Sequence, residues 1–551
     1  MAWYDEAVFY HIYPLGMTGA PKHNIYGEPE HRLNTLIPFV SQIKNLGCNA
    51  LYIGPLFESV GHGYETTDYK KLDTRLGTNA DLTAFVAECH KQGIRVVLDG
   101  VFNHTGRDFF AFQDIKHNRE ASRYKDWYCN VNFYGNNEYG DGFSYDNWGG
   151  YDLLAKLNQQ NGEVREYICD VVRFWVKEFD IDGIRLDAAD VLDFGYMQML
   201  RRVANEVKPD FWLMGEVIHG DYMRWVNEDT LHAVTNYHLH KALYSGHNDC
   251  NYFEIAHTVK RLYEMGGNKS DGLRLYNFAD NHDVERIYTK LKNKNHFVPV
   301  HILLYTLPGV PSVYYGSEFG IEGQKQRGSD DSLRPAISYE QYVDATAKSN
   351  LTNLISGLGE IRLTTKALSY GDYKELLLTN GQYAFARNYN GVSVIVTVNN
   401  SENDFMMNMP AQNAEEYVGG LSGEKAPVKD GCISVNVKAN SGEIWLPVCQ
   451  MDKPVLPINL GMNKEPEAVS VCEKEADFAE VEVAEKPDGE QCGLRPNKTF
   501  EEMTVEELQE AILERMRRNG PVTEQMKKDV AENIYHNSLV TWVKSFNQGR
   551  M

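Results

Sequence analysis

The chain has 551 residues, of which 42% are hydrophobic, and its 77 acidic against 55 basic side chains give a formal net charge of -22. This length suffices for several domains with large cores, and the negative charge argues against nucleic acids and anionic membranes as partners. The chain shows neither a basic segment followed by an apolar core nor a run of about 20 apolar residues, so we expect a cytoplasmic protein without a membrane partner.

Eight short apolar runs alternate with amphipathic stretches along the first two thirds of the chain. They cover residues 8–13, 50–56, 94–99, 183–187, 211–216, 231–236, 273–278 and 311–315. The third run is continuously apolar from Val96 to Leu98, which is typical of a strand covered on both faces. Between the runs, apolar side chains spaced by three and four residues predict helices, most clearly from Val164 to Phe179. Eight strand–helix alternations predict an α/β fold, a (β/α)8 TIM barrel.

The remaining segments predict additions to the barrel. Residues 105–158 are polar, aromatic-rich and too long for an ordinary βα loop, so we expect an inserted loop-rich subdomain B, with the barrel formed by residues 1–104 and 159–366. Residues 367–450 carry short β-like runs between Asn/Gly turns, which indicates an antiparallel β-sandwich domain. Residues 451–497 resemble a flexible acidic linker in composition.

The last segment, residues 498–551, predicts a helical tail. Thr504 and Glu507 form a capping-box pattern, and a stop signal at residues 519–521 separates two helical stretches. Two short helices in isolation are marginally stable in water. We therefore expect the tail to dock on the enzyme or to mediate self-association, while a self-contained hairpin on a flexible tether is the alternative.

Carboxylates end several predicted strands. Asp99, Asp187 and Glu216 close the third, fourth and fifth runs, and Asp280 and Asp283 lie just past the seventh. Active sites of such barrels lie at the carboxyl ends of the strands, and glycoside hydrolysis uses two carboxyl groups that flank the bond. Any one of these residues is more often a structural cap, but the convergence of the whole set favours an active site.

Arg185 and the apolar run before Glu216 suggest how two of these carboxyl groups differ. Arg185 and Asp187 project to the same face of a strand, and a guanidinium lowers a neighbouring carboxyl pKa by roughly 1 to 3 units, so we predict an ionised Asp187. Glu216 follows residues 211–214 and should lie near Asp187, and both features raise its pKa toward that of a general acid. His104 and His282 could each be structural, but their neighbours Asn103 and Asp283 favour the site.

Four segments resemble the ordered signatures of the α-amylase family of glycoside hydrolases. They are residues 99–104, 183–190, 215–219 and 278–283, with supporting similarity at residues 63–69 and 308–316. The resemblance implies that Asp187 is the nucleophile, Glu216 the general acid/base and Asp283 a third carboxylate that holds sugar hydroxyls. The substrate-binding residues that it implies are Tyr64, Asp99, His104, Arg185, His219 and His282.

Two further segments resemble the neopullulanases and cyclomaltodextrinases of this family. Residues 153–158 are similar to their Met-Pro-Lys-Leu-Asn element, and residues 216–219 are similar to Glu-Ile-Trp-His, with Ile218 at the Trp position. The first predicted strand begins within ten residues of Met1, so we expect no N-terminal β domain of the kind those groups use for dimerisation. Ala188 resembles the small residue of α-1,4-acting members, which implies maltooligosaccharide, cyclodextrin or starch-derived glucan substrates cleaved with retention through a covalent intermediate.

The sequence predicts no cofactor and no obligate metal, although calcium binding stays open. Ala189 and Asp190 occupy the positions of Lys-His in liquefying and salivary-type amylases, which contributes there to a calcium site. The first βα loop, residues 16–34, lacks alternating oxygen ligands, Asn103 alone is weak evidence for calcium, and the nine scattered cysteines predict free thiols.

Two other functions remain open from the sequence. An α-glucosidase or an α-glucan transglycosylase would use the same catalytic residues. A noncatalytic relative that binds glucan or a protein is disfavoured because all three carboxylates, Asp187, Glu216 and Asp283, are present.

Overall fold

Eight parallel strands form a single sheet in this computed structural model, one at each of the eight apolar runs. They are β1 Phe9–Ile12, β2 Ala50–Ile53, β3 Arg95–Gly100, β4 Gly183–Leu186, β5 Trp212–Gly215, β6 Ala233–Val234, β7 Tyr276–Phe278 and β8 Val310–Tyr314. Their order is β6-β5-β4-β3-β2-β1-β8-β7. A parallel bridge between Thr235 and Tyr276 joins the two outer strands, so the sheet closes on itself and the predicted TIM barrel is confirmed.

Helices follow or separate these strands, as the alternation predicts. They are α1 Pro14–Met17, α2 Ile37–Asn45, α3 Asn79–Lys91, α4 Phe110–Asn118, α5 Gly162–Phe179, α6 Phe194–Val207, α7 Tyr237–Asn248, α8 Tyr252–Met265, α9 Ile287–Lys290, α10 Phe297–Thr306, α11 Tyr339–Lys348, α12 Asn350–Thr364 and α13 Lys366–Tyr370. The predicted apolar stripe of α5 is buried, from Val164 to Phe179. The Asn161 side chain caps its first turn by accepting hydrogen bonds from the backbone N–H groups of Glu163 and Val164.

The interior of the barrel is a packed core separate from the core around it. Its residues alternate along the strands with residues of the outer core, because successive side chains of a strand point to opposite faces. Phe9 and Trp212, each the first residue of its strand, stack within it with ring centroids 5.0 Å apart. The same period of two carries polar side chains to the mouth: Asp99 comes two residues after the interior Val97, and Glu216 two residues after Met214.

The chain segment between β3 and α5 forms a small sheet. Its three antiparallel strands are His104–Thr105, Tyr151–Lys156 and Asn147–Trp148, with Tyr151–Lys156 in the middle. A second small antiparallel pair, Phe57–Ser59 with Thr66–Leu72, follows β2. The three-stranded sheet begins at His104 and therefore connects the segment predicted as an insertion to the mouth of the barrel.

The C-terminal antiparallel domain is also confirmed. Its strands are β9 Asp372–Leu378, β10 Gln382–Tyr389, β11 Val392–Asn399, β12 Phe405–Pro410, β13 Glu416–Gly419, β14 Lys425–Pro427, β15 Cys432–Val437 and β16 Ser441–Pro447. Six of them form one sheet in the order β9-β10-β11-β16-β13-β14, and β12 pairs with β15. Ile395 and Trp445 of the large sheet share a buried cluster with Met407 and Ile433 of the small one, so the two sheets enclose a common core.

The structure describes residues 2–265, 273–411 and 414–448, together with 457, 458, 505, 508 and 509. The chain divides into two compact units, residues 1–473 and 474–551. The acidic linker and the helical tail predicted from the sequence lie outside the described residues, apart from these few positions. The six cysteines within the described ranges are free thiols, and no helix described there is both long enough and apolar enough to cross a membrane.

Candidate active site

One buried arginine holds three carboxylates at the mouth of the barrel. Nη1 of Arg185 lies 2.8 Å from Oδ1 of Asp99 and 2.8 Å from Oδ1 of Asp187, and Nη2 lies 2.8 Å from Oε2 of Glu216. The exposed fraction of the Arg185 side chain is only 3%. The residues predicted from the ends of three neighbouring strands, β3, β4 and β5, therefore meet around one cation.

The net effect of this cluster on Asp187 is opposite to the prediction from sequence. Burial is the main cause of a pKa of Asp187 well above its usual value; Arg185 lowers that pKa, but burial together with repulsion from Glu216 and Asp99 outweighs it. The attraction of Arg185 is thus present as predicted, whereas the prediction that it leaves Asp187 with a lowered pKa is wrong for the substrate-free protein. The physical reason is burial in a site with little water, to which the sharing of one guanidinium by three carboxyl groups adds.

Glu216 has the raised pKa that the sequence predicts. Burial is the main cause, the attraction of Arg185 opposes it, and repulsion from Asp283 adds to it. Oε2 of Glu216 also accepts a hydrogen bond of 3.1 Å from the backbone N–H of Ala188, whereas Oε1 has only the hydroxyl of Tyr237 at 3.4 Å. Its two oxygens are thus unequal, and Oε1 is the one with room for a proton.

Asp283 and His282 join the cluster through Tyr64. Nε2 of His282 contacts the hydroxyl of Tyr64 and lies 3.1 Å from Oδ2 of Asp283. The Tyr64 hydroxyl in turn donates to Oδ2 of Asp99 over 3.2 Å. Burial, with the positive charges of Arg334 and Arg185, lowers the pKa of His282 well below its usual value, so its imidazole is neutral. An unbroken chain of polar contacts therefore runs from Asp283 to Asp99.

His104 belongs to the same mouth, and its contacts bear on the calcium question. Nε2 of His104 lies 3.2 Å from the backbone oxygen of Tyr64, and Nδ1 lies 3.2 Å from Nδ2 of Asn103. Oδ1 of Asn103 accepts a hydrogen bond of 3.0 Å from Gln159, so the amide oxygen is engaged within the protein. Among the residues that the structure describes, no group of three or more His, Cys, Asp or Glu side chains is arranged to hold a metal ion. The absence of an obligate metal stays a prediction.

Two other residues of the predicted mouth lie apart from the cluster. His219 is exposed, and the described residues include no hydrogen-bond partner for it. Asp280 accepts hydrogen bonds from the backbone N–H of Ile287 at the start of α9 and from the hydroxyl of Ser317. Asp280 is therefore a buried structural cap, whereas a role for His219 in substrate binding stays a prediction.

The structure adds three residues that the sequence reasoning missed. The Tyr52 hydroxyl donates to Oδ2 of Asp99 over 2.7 Å, and Tyr237 faces Glu216. Arg334 donates to Oδ1 of Asp283 over 2.9 Å and to the backbone oxygen of His282 over 3.0 Å. Tyr52 could have been found from its position on the interior face of β2. Arg334 lies in an irregular segment, and no sequence pattern marks its contact with the site.

Comparison with known proteins agrees with this geometry. The sequence model of the α-amylase catalytic domain matches residues 32–357, more than half of the chain. A cyclomaltodextrinase from Thermoanaerobacter pseudethanolicus is 30% identical over 425 residues, which cover 72% of this chain and 71% of the relative. Neopullulanase 2 from Thermoactinomyces vulgaris is 30% identical over 474 residues, which cover 80% of this chain and 78% of the relative.

A solved structure of a glycoside hydrolase is also similar to this chain. The cyclic alpha-maltosyl-(1→6)-maltose hydrolase from Arthrobacter globiformis, in its ligand-free form, has a TM-score of 0.67 and 25% sequence identity, and the match covers 80% of this chain and 98% of that one. The family match, the two relatives and the barrel with carboxylates at its mouth lead to one conclusion: the chain is an enzyme that belongs to the α-amylase family of glycoside hydrolases.

Proposed function

We propose that this enzyme hydrolyses α-1,4-glucosidic bonds of maltooligosaccharides, cyclodextrins or starch-derived glucans with net retention. The observation that carries the proposal is the pair Asp187 and Glu216, which follow adjacent strands and are each held 2.8 Å from the guanidinium of Arg185. Two carboxyl groups on neighbouring strand ends suit a retaining glycosidase, in which they lie about 5 to 5.5 Å apart.

Asp187 is the nucleophile in this proposal and acts in its ionised form, with the proton of the neighbouring pair of carboxyl groups held on Glu216. Its Oδ1 is oriented by Arg185, while Oδ2 has no hydrogen-bond partner among the described residues and is available to attack the anomeric carbon. Glu216 protonates the leaving glycosidic oxygen through Oε1, and the bond between that oxygen and the anomeric carbon breaks. Glu216, now ionised, then takes a proton from the water that hydrolyses the glycosyl ester.

The other residues of the mouth position the sugar. Asp283 is fixed by Arg334 and His282, which leaves the carboxylate oriented to accept hydrogen bonds from ring hydroxyls. Tyr64 offers an aromatic face against which the apolar face of a glucose ring packs. The neutral imidazoles of His104 and His282 supply hydrogen-bonding groups without adding charge next to the developing positive charge of the transition state.

Support for the substrate class comes from the relatives and from Ala188. Two relatives are a cyclomaltodextrinase and a neopullulanase, and Ala188 after the proposed nucleophile is the small residue that the family resemblance implies for α-1,4 specificity. A sugar acceptor in place of water would give transglycosylation through the same covalent intermediate, and removal of single glucose units would give an α-glucosidase.

Product analysis tests the proposal. Proton NMR at early times on maltoheptaose should show the α-anomer first, because two displacements at the anomeric carbon restore its configuration. First appearance of the β-anomer would contradict the retaining mechanism. Chromatography of the products from maltoheptaose, β-cyclodextrin and pullulan then separates the alternatives: products longer than the substrate indicate transglycosylation, and glucose as the only early product indicates an α-glucosidase.

A further inference from the structure

Two exposed aromatic rings stand at the tip of the hairpin beside the mouth of the barrel. Trp148 is 39% exposed and Tyr151 is 63% exposed. They flank the turn Gly149–Gly150, where both glycines have positive φ, 65° and 84°. Such a pair of φ values fits the two-residue turn of a tight hairpin, which only glycine-like positions adopt without strain. The tip is thus a defined turn that presents two large side chains.

The pairing of this hairpin sets the orientation of the two rings. Trp148 and Tyr151 are opposite each other in the antiparallel register, so their side chains project from the same face of the ribbon. Asp152 fixes the strand behind them, since its carboxylate accepts hydrogen bonds from Nδ2 of Asn147 and from the backbone N–H of Glu138. The two rings therefore form one surface on an anchored support, which we call the tip platform.

The tip platform is continuous with the active site. The strand Tyr151–Lys156 pairs with His104–Thr105 on its other side, so the hairpin and His104 belong to one sheet. The ring centroids of Trp148 and His104 lie 5.9 Å apart, and His104 contacts the backbone of Tyr64. A path of direct contacts thus leads from Tyr64, through His104, to the exposed tip.

Three other exposed aromatic rings of the same region have protein partners that account for them. Tyr139 covers the guanidinium of Arg107 at 3.7 Å, Tyr26 donates a hydrogen bond to Asp108, and Phe110 packs in a cluster with Tyr124 and other rings. By contrast, neither the indole N–H of Trp148 nor the hydroxyl of Tyr151 has a hydrogen-bond partner among the described residues. Both polar groups are available to a ligand.

We propose that Trp148 and Tyr151 form a sugar-binding subsite for a glucose unit of the α-glucan chain next to the units held at the barrel mouth. The inference rests on the proposed function and extends it to a specific contact outside the central site. Glucose rings have an apolar face that packs on an aromatic ring and hydroxyls at their edge, and the free N–H and O–H groups of the tip platform suit those hydroxyls. A remote contact of this kind strengthens binding of long chains equally in ground and transition states, so it acts on KM and leaves kcat nearly unchanged.

Equilibrium binding to an inactive background tests this subsite without relying on turnover. In the Glu216→Gln chain, we expect Trp148→Ala to raise the calorimetric Kd for maltoheptaose by about 10-fold and Tyr151→Ala by about 3-fold. The Kd for maltose, whose two units fill only central positions, should change by less than about 2-fold. Trp148→Phe keeps a stacking surface and should recover most of the affinity. The matched control is Tyr134→Ala, an aromatic of the same region that is 99% exposed.

Each outcome decides the inference. An unchanged maltoheptaose Kd in Trp148→Ala, with an unchanged melting temperature, overturns it, and so does an equal loss for maltose and maltoheptaose, which would indicate a structural role. An unchanged Kd with an altered oligomeric state would assign the tip platform to a protein contact instead. Hydrolysis by the unmodified enzyme is a separate readout: binding through Trp148 without any cleavage would contradict the proposed function alone, and cleavage without dependence of the Kd on Trp148 would contradict the subsite alone.

Discussion

Two buried charge networks lie at opposite ends of strand β4. At the base of the barrel, before the strand begins, the carboxylate of Asp182 lies 2.7 Å from Nε2 of His90, 2.9 Å from Nη1 of Arg95 and 2.9 Å from Nζ of Lys208. It also accepts a hydrogen bond from the backbone N–H of Val96. Burial alone would raise its pKa, but these contacts, His90 foremost, outweigh burial and lower the pKa of Asp182 to about 2.

At the base, several basic side chains surround one carboxylate, whereas at the mouth three carboxylates share one basic side chain. Among the described residues, Arg185 is the one cation in contact with Asp99, Asp187 and Glu216, and burial together with mutual repulsion raises the pKa of Asp187. Asp182 and Asp187 thus flank the two ends of one strand. The ionised carboxylate is stabilised by its neighbours at Asp182 and destabilised by burial and by its neighbours at Asp187, a condition that we call electrostatic frustration. A surplus of like charge is costly for folding, and it also keeps a proton available for transfer. The base therefore serves stability and the mouth serves chemistry.

The largest expected effect comes from removing the charge at the mouth. Asp187→Asn should reduce the release of reducing ends from maltoheptaose by at least about 1,000-fold, because the proposed covalent step would lose its nucleophile. The melting temperature should stay the same or rise, since one of three mutually repelling carboxyl groups is gone. Near-normal activity in a preparation free of wild-type enzyme would remove Asp187 from the catalytic role, and a large fall in melting temperature would contradict the frustration at the mouth.

The reciprocal substitution at the base should change stability and spare activity. Asp182→Asn leaves Lys208 and Arg95 without their buried carboxylate and should lower the free energy of unfolding in urea by about 2 kcal/mol. Turnover at 25 °C should stay within about 2-fold of the wild type. The matched control is Asp180→Asn: Asp180 contacts the same Lys208 over 2.7 Å but is 67% exposed, so its effect should stay within about 0.5 kcal/mol. Equal losses in the free energy of unfolding of Asp182→Asn and Asp180→Asn would show that burial does not determine how much these carboxylates contribute to stability.

The contrast between base and mouth also explains what the sequence could predict. The eight apolar runs and the period of two placed Asp99, Arg185, Asp187 and Glu216 at one mouth, because strand alternation is a local property. The direction of the Asp187 pKa could not be predicted in the same way, since it depends on how many carboxyl groups share one guanidinium after folding. The attraction of one sequence neighbour, Arg185, is present, but burial and the neighbouring carboxyl groups outweigh it and reverse the net direction.

Contacts between residues that are far apart in the sequence could not be predicted either. Arg334 contacts Asp283 from 51 positions away and lies in a segment without strand or helix periodicity. The two aromatic rings of the tip platform become candidates for sugar binding only because the fold places them beside His104. The role of Asp280 as a cap follows from the arrangement of α9 and Ser317 around it. These features depend on tertiary packing, which local patterns do not record.

The last expected effect is a difference in how the two variants respond to pH. The folded-state pKa of Asp187 lies above the unfolded value of about 3.8, so the folded protein binds the extra proton, and wild-type stability is lost as pH rises through the folded-state pKa. Asp187→Asn lacks this loss. Its free energy of unfolding relative to the wild type should therefore increase between pH 5 and pH 8, by at most about 1.4 kcal/mol per pH unit.

For Asp182 the sign is opposite, because its folded-state pKa of about 2 lies below the unfolded value. The stabilisation that it provides is complete above about pH 4 and is lost only as pH falls toward 2. The part of the Asp182→Asn deficit that comes from the ionisation of Asp182 itself should therefore be constant between pH 5 and pH 8. Asp182→Asn serves as the control for Asp187→Asn when all the proteins compared carry His90→Gln, which removes the imidazole in contact with Asp182. Urea unfolding of both variants and the wild type at pH 5, 6, 7 and 8 measures the two slopes. A flat difference for Asp187→Asn would show that its carboxyl is already fully ionised at pH 5, and Arg185 would then dominate the mouth as it does in the local sequence.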